Sequence, residues 1–323
     1  MKNLQTTTTN QSDLASLNDL QQATLSYIET SKADNTKNAY QSDWKQFETW
    51  CELQGLQSLP ADPQTVALYI TSEAQSGRKA STIQRRISSI SQAHQAMNYD
   101  SPTLNSLVRS TWKGIKNTHG TAQEGKKPLL IEHVRAIIEV LPDTLLGLRD
   151  RALILVHFAG AFRRSELISI DMTDVEFSTD GLVVTLRRSK GDQEGAGEKV
   201  GIPYGSTLAT CPVRALQAWI DQAGITEGAV FRSVNRHSQV QPKGLSDKAV
   251  ALIVKRAVEL IGLNPDEYAG HSTRSGLATS AAKAGVSERV IMKQTRNKSA
   301  QMVRKYIKDG EMFVENAAAR IGL

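Results

Sequence analysis

Arginine, then His-x-x-Arg, then tyrosine: the second half of the chain carries Arg163-Arg164-Ser165-Glu166-Leu167, Gly270-His271-Ser272-Thr273-Arg274 and Val303-Arg304-Lys305-Tyr306-Ile307, in that order. Together these side chains can break a phosphodiester with a tyrosine nucleophile. A phenol with an ordinary pKa of about 10 is a poor nucleophile at neutral pH, so its site must stabilise both phenolate and transition state. Two guanidinium groups on the non-bridging oxygens of one phosphate supply that field without a metal ion. His271 and Arg274 are three apart at a helix start and share a face. The free N–H groups of that helix end favour an anion. Glu166 follows Arg163 closely enough to orient it.

Other chemistries lack their parts. The chain has no G-x-S-x-G elbow, no H-E-x-x-H and no acidic cluster spaced for Mg²⁺. Gly120 to Gly125 followed by Lys126 is spaced like a phosphate-binding loop, but Lys127 stands where Ser or Thr is required and no strand precedes it. Cys51 and Cys211 are isolated, which excludes a disulfide framework or zinc site and fits a reducing cytoplasm. Apolar stretches fall far short of the roughly 20 residues that span a bilayer. The opening Met1-Lys2-Asn3-Leu4-Gln5 has no apolar core of a signal peptide. With 40% hydrophobic, 22% charged and 5% aromatic residues, the composition is that of a globular protein with aliphatic helical cores.

The elements that must position these residues divide into two domains. Residues 1–12 form a polar tail expected to be disordered, and 13–118 read as helices throughout. The net charge is +6, and between Ala74 and Gln123 stand seven bases (Arg78, Lys79, Arg85, Arg86, Arg109, Lys113, Lys116) against one acid, Asp100. Such clustering is the footprint of a polyanion binder. Helices are expected through Tyr40, Trp44, Phe47 and Cys51, from Asp62-Pro63, from Ser81, and from Leu104 to Ile115. The Ser81 helix carries Ile83, Ile87, Ile90, His94 and Met97 on one face, with Arg78, Thr82, Arg85 and Ser89 opposite, a core side and a groove side. A linker at 119–128 leads to a larger domain, 129–323. There helices are expected at Ile131–Leu141, Leu148–Ala159, Pro212–Gln222, Asp247–Ile261, His271–Ala284, Ser287–Lys293 and Ala300–Lys308. Strands at Leu182–Leu186 and Val200–Pro203 bracket a glycine-rich turn containing Lys190.

In this order the residues resemble the tyrosine recombinase (phage integrase) family, nearest to its Cre-like members. The most specific part is Gly270-His271-Ser272-x-Arg274-x-Gly276 with Ala284-Gly285-Val286-Ser287 after it. Arg163-x-Ser165-Glu166-Leu167 and Met302-Val303-x-x-Tyr306-Ile307 follow. The resemblance implies a mainly α protein with a small β-sheet: an N-terminal helical, SAM-like core-binding domain and an α/β catalytic domain forming a C-shaped clamp on DNA. It implies Arg163, Lys190, His271, Arg274 and Tyr306 as catalytic residues, with Glu166 supporting the first arginine. Where the family usually carries His or Trp, commonly after Gly, this chain has Asn297 after Arg296. An amide can still donate to a phosphate oxygen. Arg78, Lys79, Ser81, Thr82, Arg85, Arg86, Ser89, Lys113 and Lys116 would bind DNA. The implied activity is metal- and ATP-independent site-specific recombination through a 3′-phosphotyrosyl intermediate and a Holliday junction, with no cofactor. Its partners would be a double-stranded site with inverted repeats and three further copies of the chain, joined through a C-terminal helix at about 311–323, and no membrane. Two alternatives share some of these parts: a type IB topoisomerase-like relaxing enzyme, and a DNA-binding regulator that has lost catalysis at Asn297.

Overall fold

A computed structural model describes residues 19–20, 22–24, 27, 34–121, 125–187, 197–297 and 299–311, the last four by backbone alone. The tail at 1–12, Lys190, and all of the 311–323 segment beyond Glu311 lie outside the described residues. Two compact units are present, residues 1–124 and 125–323.

Among its described residues the first unit packs the helices α1 (Asp34–Gln54), α2 (Pro63–Gln75), α3 (Ala80–Ala96) and α4 (Ser106–His119) against one another. Asp62 caps α2 by accepting from the Gln64 N–H at 2.7 Å, with proline in the first helical turn. The helix expected from Leu104 starts instead at Ser106. A 3₁₀ turn at Pro102–Leu104 precedes it, and Asn105 caps it by accepting from the Leu107 N–H at 2.9 Å. Phe47, Cys51, Val66, Tyr69, Ile70, Ile83, Ile87, Ile90, Val108 and Ile115 form the core, flanked by Trp44, Trp50 and Trp112. Each of the larger side chains contributes about 1.5–3 kcal/mol by leaving water.

Helix α3 corrects the expected division of its faces. Ile83, Ile90 and His94 are buried as the spacing predicts, but Arg86 (5% exposed) and Ser89 (2%) are buried too, whereas Met97 is 60% exposed. Arg86 stands three residues after Ile83 and four before Ile90, so the rotation that turns those inward also turns the arginine inward. Its guanidinium donates to Tyr69 Oη at 2.8 Å and bonds Gln46 Oε1 and the Glu73 carboxylate. Ser89 donates to the Tyr40 carbonyl at 2.7 Å. Arg85 holds buried Asp43 with two prongs, at 2.6 and 3.0 Å. Arg86 and Ser89 therefore fasten α1, α2 and α3 to one another and are not available to a polyanion. Arg78, Lys79, Ser81, Arg85 and Lys113 are exposed, Thr82 and Lys116 half-buried. The Lys116 ammonium lies 5.5 Å from the Trp112 ring centroid.

In the second unit α5 (Ile131–Val140), α6 (Leu145–Ala159) and the short α7 (Arg164–Ile168) lead into an antiparallel sheet. Its strands are β1 (Val175–Phe177), β2 (Gly181–Leu186) and β3 (Glu198–Pro203), in the order β1-β2-β3. Pairing of Leu182 with Ile202 and Val184 with Val200 sets their side chains on one buried face. Helix α8 (Pro212–Ala223) follows, then a two-stranded ribbon, β4 (Arg232–Val234) and β5 (Val240–Gly244), then α9 (Asp247–Leu260). The last elements among the described residues are α10 (Ser272–Lys283), α11 (Glu288–Thr295) and α12 (Ala300–Glu311). Helix α6 is buried nearly all round and is the hub of the core. The end of the expected linker belongs to this unit: Lys127 N donates to the Glu267 carbonyl at 2.8 Å and Leu129 N to the Ser272 carbonyl at 2.8 Å. β1, the β4–β5 ribbon and α7 are additions to the elements expected from sequence.

Candidate active site

Helix α10 supplies the frame. His271 occupies its N-cap position, and its Nε2 lies 3.3 Å from Tyr306 Oη. That is a loose hydrogen bond, of the kind that tightens once substrate arrives. Tyr306 reaches this position because Val303, fully buried, packs with Ala278, Ala282 and Ile291, seating α12 against α10 and α11. The start of α10 is fixed against residue 129. A Cβ on Gly276 would come within 1.8 Å of the Leu129 carbonyl oxygen, so only glycine allows this approach.

Behind the tyrosine lies a buried cluster of guanidinium groups. Arg274 is 1% exposed; it donates to the Ala161 carbonyl at 2.6 Å, to the Thr295 carbonyl, and to Asn297 Oδ1 at 2.9 Å. Glu166, 2% exposed, accepts from the Arg163 backbone N–H at 2.8 Å and from the Arg163 guanidinium. Burial alone would raise the Glu166 carboxyl, but the Arg163 N–H and guanidinium and the charge of Arg296 outweigh it and hold it below the usual range. Arg274 is pushed down to about 10, chiefly by burial and then by repulsion from Arg163 and Arg296. It stays protonated at neutral pH. Two guanidiniums, of Arg163 and Arg296, pair with the Glu166 carboxylate while that of Arg274 bonds no carboxylate among the described residues, and the surplus positive charge favours a phosphate there.

Two further residues beside these groups belong to no motif. Arg296 caps α11 in the left-handed region (φ 52°, ψ 39°), which costs a residue with a Cβ about 1–2 kcal/mol. Its guanidinium donates to Glu166 Oε2 at 3.0 Å and to the carbonyls of Gly160 (2.9 Å), Ala161 (3.0 Å) and Gln294 (3.0 Å). It also lies 5.2 Å from the Phe162 ring centroid. The signal was its place beside Asn297, in the stretch that departs from the family pattern. His157 on α6 is fully buried, its Nδ1 3.1 Å from Thr273 Oγ1, and burial pushes its pKa down to about 3. Nothing in its sequence surroundings marks it.

The structure brings Arg163, Glu166, Arg274, Asn297, His271 and Tyr306 into this one region of the second unit. Lys190 belongs to the β2–β3 connection, described up to Arg187 and from Gly197 onward, and itself lies outside the described residues. Among the described residues no group of three or more His, Cys, Asp or Glu side chains is placed to hold a metal ion. None of their helices is long and apolar enough to cross a membrane.

The sequence profile of the Phage integrase family matches residues 128–311, over the whole of this site. The chain belongs to that family. The profile of the phage integrase N-terminal SAM-like domain matches residues 22–97 of the recombinase. It is 44% identical over 298 residues to an integrase/recombinase XerD homolog of Selenomonas ruminantium, covering 91% of this chain and 87% of that protein. It is 24% identical over 286 residues to the Cre recombinase of Escherichia phage P1, covering 82% and 81%. In fold it is similar to the XerH site-specific recombinase, solved in a post-cleavage complex with palindromic difH substrate. That likeness has a TM-score of 0.59 at 16% identity over 80% of this chain and 72% of the other. The recombinase is accordingly a mainly helical tyrosine recombinase with small sheets, a SAM-like first domain and a catalytic second domain.

Proposed function

We propose that the recombinase cuts and rejoins double-stranded DNA at a specific site, with Tyr306 as nucleophile. The observation that carries this reading is the 3.3 Å contact between His271 Nε2 and Tyr306 Oη beside the surplus guanidinium charge of Arg163 and Arg274. Tyr306 Oη attacks the scissile phosphorus, His271 takes part in moving its proton, and the bond from phosphorus to the 5′-oxygen breaks. Arg163 and Arg274 stabilise the non-bridging oxygens, the Asn297 amide donates to one of them, and Lys190 protonates the leaving 5′-oxygen. The resulting 3′-phosphotyrosyl bond keeps the energy of the phosphodiester. A 5′-hydroxyl from a second duplex can then displace Tyr306, so exchange through a Holliday junction needs neither ATP nor metal.

The N-terminal helical domain, 13–118, would hold the inverted repeats through Arg78, Lys79, Ser81, Thr82, Lys113 and Lys116, with Arg85 contributing only its exposed edge. Four copies would assemble on the paired sites by docking the 311–323 segment of one copy onto the next. An apolar cleft of about 450 Å³ lined by Val134, Phe158, Leu277, Ala281, Val290 and Ile291 supports that docking. The terminal segment offers it Phe313, Ala317 and Ile321, spaced four apart. This work would take place in the cytoplasm, on DNA. The test uses DNA flanking the gene, with EDTA present and Tyr306→Phe as control. A slow-migrating protein–DNA adduct, absent in the control, supports the reading; binding without any adduct on intact and nicked sites alike would overturn it.

A further inference from the structure

We infer that Arg296 is a positioning residue of the strand-cleavage site, fixing Glu166 and the Asn297 amide relative to Arg163 and Arg274. The inference rests on the recombinase reading proposed above. Arg296 stands in a left-handed conformation that glycine adopts without strain, yet the chain places its longest cationic side chain there. That side chain is 5% exposed; its two terminal nitrogens donate to neighbours, while its buried Nε has no hydrogen-bond partner among the described residues. It bonds the carbonyls of Gly160 and Ala161, which immediately precede the Phe162–Arg163 corner, and the carboxylate that orients Arg163.

Three consequences follow for the phosphate site. First, Glu166 is shared. With Arg296 on Oε2, the carboxylate cannot turn both oxygens onto the Arg163 guanidinium and draw it away from a phosphate. Second, Asn297 is the next residue along. Anchoring residue 296 sets its backbone, its N–H bonds the Met292 carbonyl at 3.3 Å, and its Oδ1 accepts from Arg274. That orientation directs the amide N–H groups away from Arg274. Third, Arg296 Nε, without a hydrogen-bond partner among the described residues, lies 4.0 Å from Glu198 Oε2 on β3 and so keeps its charge beside that carboxylate. One side chain therefore bonds the first arginine's carboxylate and anchors the backbone beside the second arginine's amide partner. An amide replaces a bulkier ring at 297, so it has to be held, and Arg296 holds it.

The experiment compares Arg296→Gly, Arg296→Lys, Asn297→His and the double variants. It uses nicked DNA from the gene's flanks and measures the single-turnover adduct rate at saturating DNA beside the Kd. Arg296→Gly removes the strain and the tethers together; it is expected to slow adduct formation about tenfold to a hundredfold, as small misplacements of reacting groups do, with Kd changed less than about twofold. Arg296→Lys, which keeps charge without the planar fork, is expected to fall between. Adding Asn297→His to Arg296→Gly is expected to recover most of the lost rate, because a ring at 297 does not depend on the anchored amide; a purely structural arginine would give the same fold-loss in both backgrounds. Equal losses, or an Arg296→Gly rate within about twofold of the parent, would overturn the inference. If Arg296→Gly does not fold, Arg296→Lys decides alone: a loss of about threefold or more at unchanged Kd supports it, and a smaller one overturns it. A parent protein that forms no adduct would instead sink the recombinase reading.

Discussion

Replacing Glu166 by Gln tests whether one buried carboxylate organises the arginine cluster. Glu166 is 2% exposed and accepts from the Arg163 N–H, the Arg163 guanidinium and Arg296. Glutamine fills the same space and keeps one acceptor, but it removes the carboxylate bonded to both the Arg163 and Arg296 guanidiniums and turns N–H groups toward one of them. Neutralising one side of a buried pair costs about 3–5 kcal/mol, and the retained acceptor puts this case near about 3. For a domain of this size each kcal/mol shifts Tm by about 2–4 °C, so the catalytic unit should melt about 6–12 °C lower at pH 7. The pH dependence has a definite sign. The folded carboxyl lies below its ordinary value of 4.5, so its stabilisation is fully present above that pH and disappears as pH falls through the folded value. Thermal unfolding of the full chain, parent against Glu166→Gln, should show a gap that is constant from pH 7 down to about 5 and closes in stronger acid. A gap under about 2 °C at pH 7, or one undiminished in acid, would refute the reasoning.

Other outcomes follow from the same contacts. In Gly276→Ala the new Cβ meets the Leu129 carbonyl oxygen at 1.8 Å, so α10 must shift; overpacking should cost about 1–3 kcal/mol, and adduct formation should fall about a hundredfold. His157, pushed down to about 3 by burial, stays neutral in the fold while the unfolded chain takes up a proton from about 6.5 downward. Stability should therefore drop by about 1.4 kcal/mol per pH unit in that window, and His157→Leu should flatten the fall in denaturant titrations. Arg86→Met should lower the Tm of the first unit without changing the salt dependence of DNA binding. Lys113→Ala with Lys116→Ala should leave Tm alone and reduce the slope of log K against log salt by about 2.

Much of the site was legible because its chemistry is local in sequence. His271 and Arg274 share a helix start, and Arg163 and Glu166 share a capping turn, so spacing alone pairs them. Helices such as α2 announce themselves through Asp62-Pro63 and a periodic apolar face. What escaped depends on partners far along the chain. Arg86 looked solvent-facing until Glu73 and Tyr69 of α2 and Gln46 of α1 were seen to enclose it, though its place between Ile83 and Ile90 already carried the warning. β4 is three residues long and its pairing with β5 is irregular in register, too little for a period-two pattern to register. Arg296 is read only once residues 160, 161, 166 and 198 are brought beside it, a convergence no single stretch encodes.

Tyr306 is the residue proposed to form the bond to DNA. Peptide mapping by mass spectrometry of the protein–DNA adduct, after nuclease trimming, reads that bond directly. A nucleotide 3′-phosphate on Tyr306 is the expected result. The same modification on any other residue, with Tyr306 intact, would contradict the site described above.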